Sequence, residues 1–252
     1  MTCETEDQRW ERLSRDRIHR PLPKRFYKSV TVTDQFGIAL DGRNVKTPLK
    51  ASLVLPNRAL ANAVAAEWDG QVDVINAHAM PLTKLANTAL DRAVSERPKI
   101  LAEIVEFAGS DLVCYRAGDP EELVSLQNQH WDPVISWARL CLNASFETVN
   151  TITHRHQPAE ALHALETHIA ALDRFSFVAA HNLTTLTGSA LLAAMAVAGM
   201  IPAEAAWQAA NVDEDWQIAT WGKDDEAMAR REGRQKEFSA CVNFVNLAQI
   251  RP

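Results

Sequence analysis

Glycine is scarce in this sequence, nine in 252 residues, and neither G-x-x-x-x-G-K-[ST] nor G-x-G-x-x-G occurs. Phosphate-cradling loops need those glycines so that backbone N–H groups can approach closely, so the common nucleotide loops are excluded. A G-x-S-x-G nucleophile elbow is missing as well. Cysteine is sparse and scattered, at Cys3, Cys114, Cys141 and Cys241, with no C-x-x-C pair. That excludes a disulfide framework and a cysteine zinc site, and fits reduced thiols. Positive charge is not in excess: 26 Lys plus Arg face 32 Asp plus Glu, a formal −6. A general binder of nucleic-acid phosphate carries a basic surplus, so that class is excluded too. Tyrosine is nearly absent, two residues against seven tryptophans.

Long apolar runs are also lacking. No charge falls between Phe175 and Ala203, but the continuous apolar part is only Ala190 to Ile201. His181, Asn182, Thr184, Thr185, Thr187, Gly188 and Ser189 interrupt the rest. The stretch therefore reads as a buried helix pair and no membrane insertion is expected. The N-terminal stretch has no apolar h-region, and Glu4, Glu6, Asp7, Glu11 and Asp16 are unlike a transit peptide. A bacterial cytoplasmic protein is the expectation.

What is present is ordinary globular material, 47% apolar and 23% charged. Residues 1–24 are polar, rich in Arg and closed by Pro21 and Pro23, which reads as a mobile arm, helical near Trp10 to Arg17. Residues 25–90 form a β-rich unit with one or two helices. Val30 and Val32 alternate with polar neighbours, Gln35-Phe36-Gly37 turns, and Ile38-Ala39-Leu40 leads into Asp41-Gly42, a type I′ hairpin dipeptide. Asn44-Val45-Lys46 and Leu53-Val54-Leu55 complete the unit. Asn57 caps a helix with Leu60, Val64 and Trp68 on one face, and a second starts near Pro81 with Leu82, Leu85, Ala89 and Ala93 inward.

Residues 91–252 read as helical throughout. Ile100, Ile104 and Phe107 form one stripe; Asp119-Pro120-Glu121-Glu122 reads as a cap, a proline at the first position and an acidic first turn. Asp132-Pro133 restarts the helix after Trp131. Pro158 opens another with Leu162, Leu165, Ile169 and Leu172 inward, and the last spans Asp225 to about Ala248 over Met228, Phe238, Cys241 and Val245. The class is α+β: a small β-rich N-terminal domain, then a larger multi-helical, orthogonal bundle-like domain.

Chemistry-bearing clusters are few. His154 and His156 share a face if extended, and His163 and His168 diverge on a helix, so solvated histidines are the default and no metal is expected. Lys24, Arg25, Lys28, Arg43 and Lys46 make a local basic group that reads as a solvated face. The segment from Val212 to Glu226 is the one that stands out, with Asp213, Glu214 and Asp215 followed by Trp216 and Trp221. Acids at helix starts and tryptophan in a core is the bland account. A docking patch of carboxylates beside aromatic anchors is the functional one. An enzyme using Glu214 and Asp215 on a small molecule is the rival, with no nucleophile to accompany it. Trp68, Trp131 and Trp137 are expected to be structural.

Ordered blocks run through the chain. They are Arg25-Phe26-Tyr27-Lys28, Leu40 to Pro48, Leu55 to Leu60, Ala66-Glu67-Trp68, Met80 to Ala89, Asp111 to Arg116, Trp131-Asp132-Pro133, Asp213 to Gln217 and Trp221-Gly222. Together they resemble the ATP synthase assembly chaperones that act on the F₁ α subunit, over about residues 25–249. The resemblance implies a β-rich domain followed by a helical one, no enzymatic activity and no cofactor. It implies a monomer that holds the unassembled α subunit until β arrives. It also implies that an acidic position in the late segment, Glu214 or Asp215, matters for that work, and that Trp68 is family-typical. Tyr27 stands where relatives commonly have tryptophan, and the acidic N-terminal stretch departs from the presequence of mitochondrial members, whose address is the matrix.

Overall fold

The computed structural model describes residues 22–150, 153 and 155–250. The expected arm at 1–24 lies almost wholly outside them. Three short strands open the described chain: β1 (Val30–Val32), β2 (Ile38–Leu40) and β3 (Arg43–Asn44). They pair antiparallel in sequence order, with Val30 opposite Leu40 and Ala39 opposite Asn44. Asp41 and Gly42 both take positive φ, +47° and +79°, as the β2–β3 turn requires. The Asp41 carboxylate also accepts from the Lys28 and Ser29 amides, and these bonds hold it below the usual carboxylate range. Leu53 to Leu55, expected as a strand, joins only by bridges: Val54 pairs with Gly37, and the Leu53 amide donates to Val45.

Ten α-helices follow among the described residues. They are α1 (Arg58–Asp69), α2 (Pro81–Asp91), α3 (Arg97–Gly109), α4 (Glu121–Cys141) and α5 (Ala159–Ala170), then α6 (Arg174–Thr187), α7 (Ala190–Val197), α8 (Ala203–Ala210), α9 (Val212–Trp221) and α10 (Asp225–Ala248). The fold is α+β, as its periodicities indicate. The uncharged stretch from Phe175 resolves into α6 and α7, and no helix among the described residues is long and apolar enough to cross a membrane.

Two expected helix boundaries are corrected. Pro133 does not restart a helix; it lies inside α4, which runs unbroken from Glu121 to Cys141. A proline in a helix interior costs about 3 kcal/mol. Burial of Trp131, Val134, Trp137 and Ala138 along one face of α4 offsets that cost. Asp119 does not cap α4 either. Pro120 is the extended N-cap residue and no side chain caps the helix, so Glu121 and Glu122 act only on its dipole. Elsewhere the expected faces hold: Leu60 and Val64, Leu82 and Leu85, Ile100 and Ile104, Leu165 and Ile169, and Phe238, Cys241 and Val245 are buried. Phe107, Leu162, Leu172 and Met228 are only half-buried.

α7 is the centre of the helical part. All eight of its residues are buried, and it packs on α3, α4, α6, α8 and α10. A helix leaves its first amides unpaired, and none of these can reach water. Ser189 Oγ accepts from the Leu192 amide, and the Asp111 carboxylate, fully buried, accepts from Leu191 and Val113. Burial pushes the Asp111 carboxyl up to about 6, against these hydrogen bonds and one from Ser189.

A second polar tie joins the two ends of the described chain. Asn57 Oδ1 accepts from the Leu60 amide and caps α1, while its Nδ2 reaches the carbonyls of Leu247 and Ala248 at the end of α10 and of Ile250 just past it. One side chain thus satisfies a helix start and a helix end.

Asn57→Ala is expected to cost about 2 kcal/mol, a fall of roughly 4–8 °C in Tm by calorimetry, because both caps are lost. For Asp111 the folded state holds its proton more tightly than the unfolded chain, so its contribution to stability declines as pH rises through the interval from the ordinary carboxylate value to about 6. Urea unfolding from pH 4 to 6.5 should show this decline, and Asp111→Asn, which does not titrate, should lack it.

Candidate functional site

The ordered sequence blocks meet one another in space through polar contacts. Glu67 in α1 receives the Leu82 and Thr83 amides and the Thr83 hydroxyl, each at 2.7 Å, so it caps α2 from outside. Burial raises its carboxyl above the usual range, and the three bonds pull the other way. Arg116 is held against α4, with the Asp132 and Asn128 side chains each at 2.9 Å and the Trp131 ring 5.3 Å from its guanidinium carbon. Trp131 is fully buried and donates to the Ala209 carbonyl, which ties α4 to the end of α8 and places α9. Trp137 of α4 is buried as well, edge-on to His168.

The late acidic segment is α9 itself. Its three carboxylates do not stand free. Asp213 accepts from Gln127 of α4 at 2.7 Å. Glu214 pairs with Arg234 of α10 at 2.6 Å, and Asp215 pairs with Arg231. Arg231 is largely buried and lies over the Trp207 ring, so its charge is fixed in place. Each of the three α9 carboxylates thus has a partner, an amide for Asp213 and a guanidinium for Glu214 and Asp215. Trp216 is half-buried and borders a cleft of about 300 Å³ with Leu126, His130 and Val212. Trp221 is 73% exposed and stacks edge-on against Trp216, ring centres 5.6 Å apart. Gly222 ends α9 with φ +93°, which favours glycine there and leaves Trp221 at a helix end facing solvent.

Trp68 is not fully interior. It is half-buried at the end of α1, 5.9 Å from the Tyr27 ring, and Tyr27 Oη donates to the Trp68 carbonyl. It separates two clefts. One, of about 620 Å³, lies towards the hairpin beside the exposed Phe26. The other, of about 440 Å³, lies between α1 and α2.

Sequence reasoning located the acidic segment but missed Arg231 and Arg234, whose i,i+3 spacing on one helix face was the available signal. It also missed the cleft beside Trp68, which comes from residues far apart in the chain. Among the described residues no group of three or more His, Cys, Asp or Glu could hold a metal. The pairing of His154 with His156 falls outside those residues. Cys114 and Cys241 are buried and free, and burial raises both thiols, Cys241 to about 12.

The described residues form a small antiparallel sheet and ten helices, an α+β protein with an exposed tryptophan beside paired charges. The family model described as ATP12 chaperone protein matches residues 24–139. Atp12 from Paracoccus denitrificans is 35% identical with a TM-score of 0.83, covering 90% of this chain and 99% of that one. The Atu1473 protein from Agrobacterium tumefaciens is 42% identical with a TM-score of 0.83, covering 92% and 89%. The mitochondrial atp12 protein of Schizosaccharomyces pombe is 24% identical over 227 residues, 82% of this chain and 78% of the relative. The chain belongs to the ATP12 chaperone family, the same family that its ordered blocks resemble, and it is a chaperone and not an enzyme.

The α9–α10 ion pairs predict a measurable salt effect. Arg231→Gln is expected to lower stability by about 1 kcal/mol at low ionic strength, and by less at roughly 1 M salt, in urea titrations run at both.

Proposed function

We propose that this chain binds the unassembled α subunit of the F₁ head of ATP synthase and shields it until β takes its place. Family membership supports the chaperone half of this reading. The observation that carries the docking half is the Trp216–Trp221 pair at the end of α9, beside Glu214 and Asp215. A large aromatic that stays in water at a helix end, braced by a second ring, is a preformed anchor with little entropy to lose on binding.

A subunit destined for a ring exposes apolar surface meant for its neighbours, and such surface drives self-association. A partner that covers it lowers the concentration of sticky edges by mass action alone. Release follows when β competes, provided the chaperone binds more weakly than β. Asp213, Glu214 and Asp215 are already matched by Gln127, Arg234 and Arg231, so their role is to hold α9 and its tryptophans rigid and to set a polar rim. The partner then competes for charges that are paired, which keeps the contact reversible. The similarity to proteins of P. denitrificans and A. tumefaciens supports a bacterial cytoplasmic setting for this work.

Trp221→Ala should leave Tm within about 1 °C, since the ring is exposed, yet weaken capture of purified α subunit by about tenfold or more in a pull-down. Equal capture by the variant and the unsubstituted protein would remove α9 from the docking surface. Failure of the unsubstituted protein to retain α over β would overturn the client assignment.

A further inference from the structure

Among the described residues five buried side-chain atoms have no hydrogen-bond partner, and two of them belong to one cleft. They are Trp68 Nε1, a donor, and Asn87 Oδ1, an acceptor. Both residues line the cleft of about 440 Å³ between α1 and α2, whose other walls include Pro48, Ile75, Met80 and Lys84. The lining is mostly apolar, with Lys84 exposed at its rim. A buried polar group left unmade costs stability, and native interiors leave few of them. Two residues that line the same apolar cleft thus carry one unpaired donor and one unpaired acceptor, which match the two halves of an amide, a C=O for the indole N–H and an N–H for the Asn87 carbonyl.

The cleft is held open by the scaffold. Glu67, next to Trp68, is anchored to the first turn of α2 through Leu82 and Thr83. The Trp68 carbonyl is fixed by Tyr27, and Gln71 binds the Asn76 amide and so shapes the loop that carries Ile75. Both unpaired atoms are shielded from solvent in the free protein, so an occupant must displace the lining to reach them. Met80, unbranched and flexible, is suited to give way.

We propose that this cleft seats an extended apolar segment of the client, with one backbone amide of that segment bridging Trp68 and Asn87. The proposal rests on the chaperone reading above and adds a second contact surface, on the β-rich side of the molecule. Apolar side chains of the segment meet Pro48, Ile75 and Met80, and its main chain supplies the partners that the free protein lacks. In such recognition the main-chain hydrogen bonds supply affinity and the apolar pocket selects the side chains it takes.

The experiment is a capture assay with purified F₁ α subunit, run on the unsubstituted chain, Trp68→Phe and Asn87→Leu, with Tm measured for each. Trp68→Phe keeps an aromatic ring and removes the donor; Asn87→Leu removes the acceptor at similar size. Because each deletes an unpaired buried group, Tm should hold or rise, whereas capture should fall by about tenfold. Hydrogen exchange on the unsubstituted chain, with and without α, should show added protection over residues 75–88, and this readout stands even if a variant folds poorly. Capture without protection there, or unchanged in both folded variants, overturns the cleft while leaving the client assignment intact. Absence of capture by the unsubstituted chain overturns both.

Discussion

An apolar helix can be buried on every side only if its first amides find partners that are not water. α7 imposes that constraint on the whole molecule, since its eight residues are enclosed by five other helices. The partners are Ser189 and the carboxylate of Asp111, which arrives from a segment 80 residues earlier in the chain. Fixing Asp111 fixes the short 3₁₀ turn Leu112–Cys114 behind it, and hence Arg116, which grips Asp132. Trp131, one residue before, holds the Ala209 carbonyl and so sets the departure of α9. The exposed Trp221 is therefore placed by a line of contacts that begins at a buried carboxylate.

The balance at Asp111 shows why such anchors are uncommon. A buried charge is costly, and here burial outweighs four hydrogen-bond contributions in setting the carboxyl's proton affinity. The return is specificity. Only one register of the 111–116 segment brings the Asp111 carboxylate to the amide donors at the start of α7, so the helices around it have one arrangement. Glu67 solves the same problem at α2 with a more accessible carboxylate.

How much of this was legible in the amino-acid order depends on range. Hydrophobic faces repeat within a helix, so α1, α2, α5 and α10 could be read with their inner residues, and Asp41-Gly42 announces its turn by local backbone chemistry. Pro133 misled because its helix-breaking tendency is local, whereas the burial of Trp131 and Trp137 that overrides it is tertiary. Trp68 looked like core from its i,i+4 stripe, yet it sits where α1 runs out of sheet to cover and so borders two clefts. Glu214 and Asp215 read as helix-start charge or as docking carboxylates. The arginines that pair with them, Arg234 and Arg231, lie 20 and 16 residues further on, a separation that no single-helix period reveals.

Asn57 has a temporal consequence as well as an energetic one. Its amide meets carbonyls at 247, 248 and 250, some 190 residues later. At typical synthesis rates that interval is about 10–40 s. Through that time the sheet and α1 exist without the strap that α10 lays across them, and the carbonyl-seeking amide stays in water. The nascent molecule is thus an open clasp until its last helix is made. Closure of the clasp, not formation of the hairpin, marks the moment at which the β-rich end becomes a finished surface.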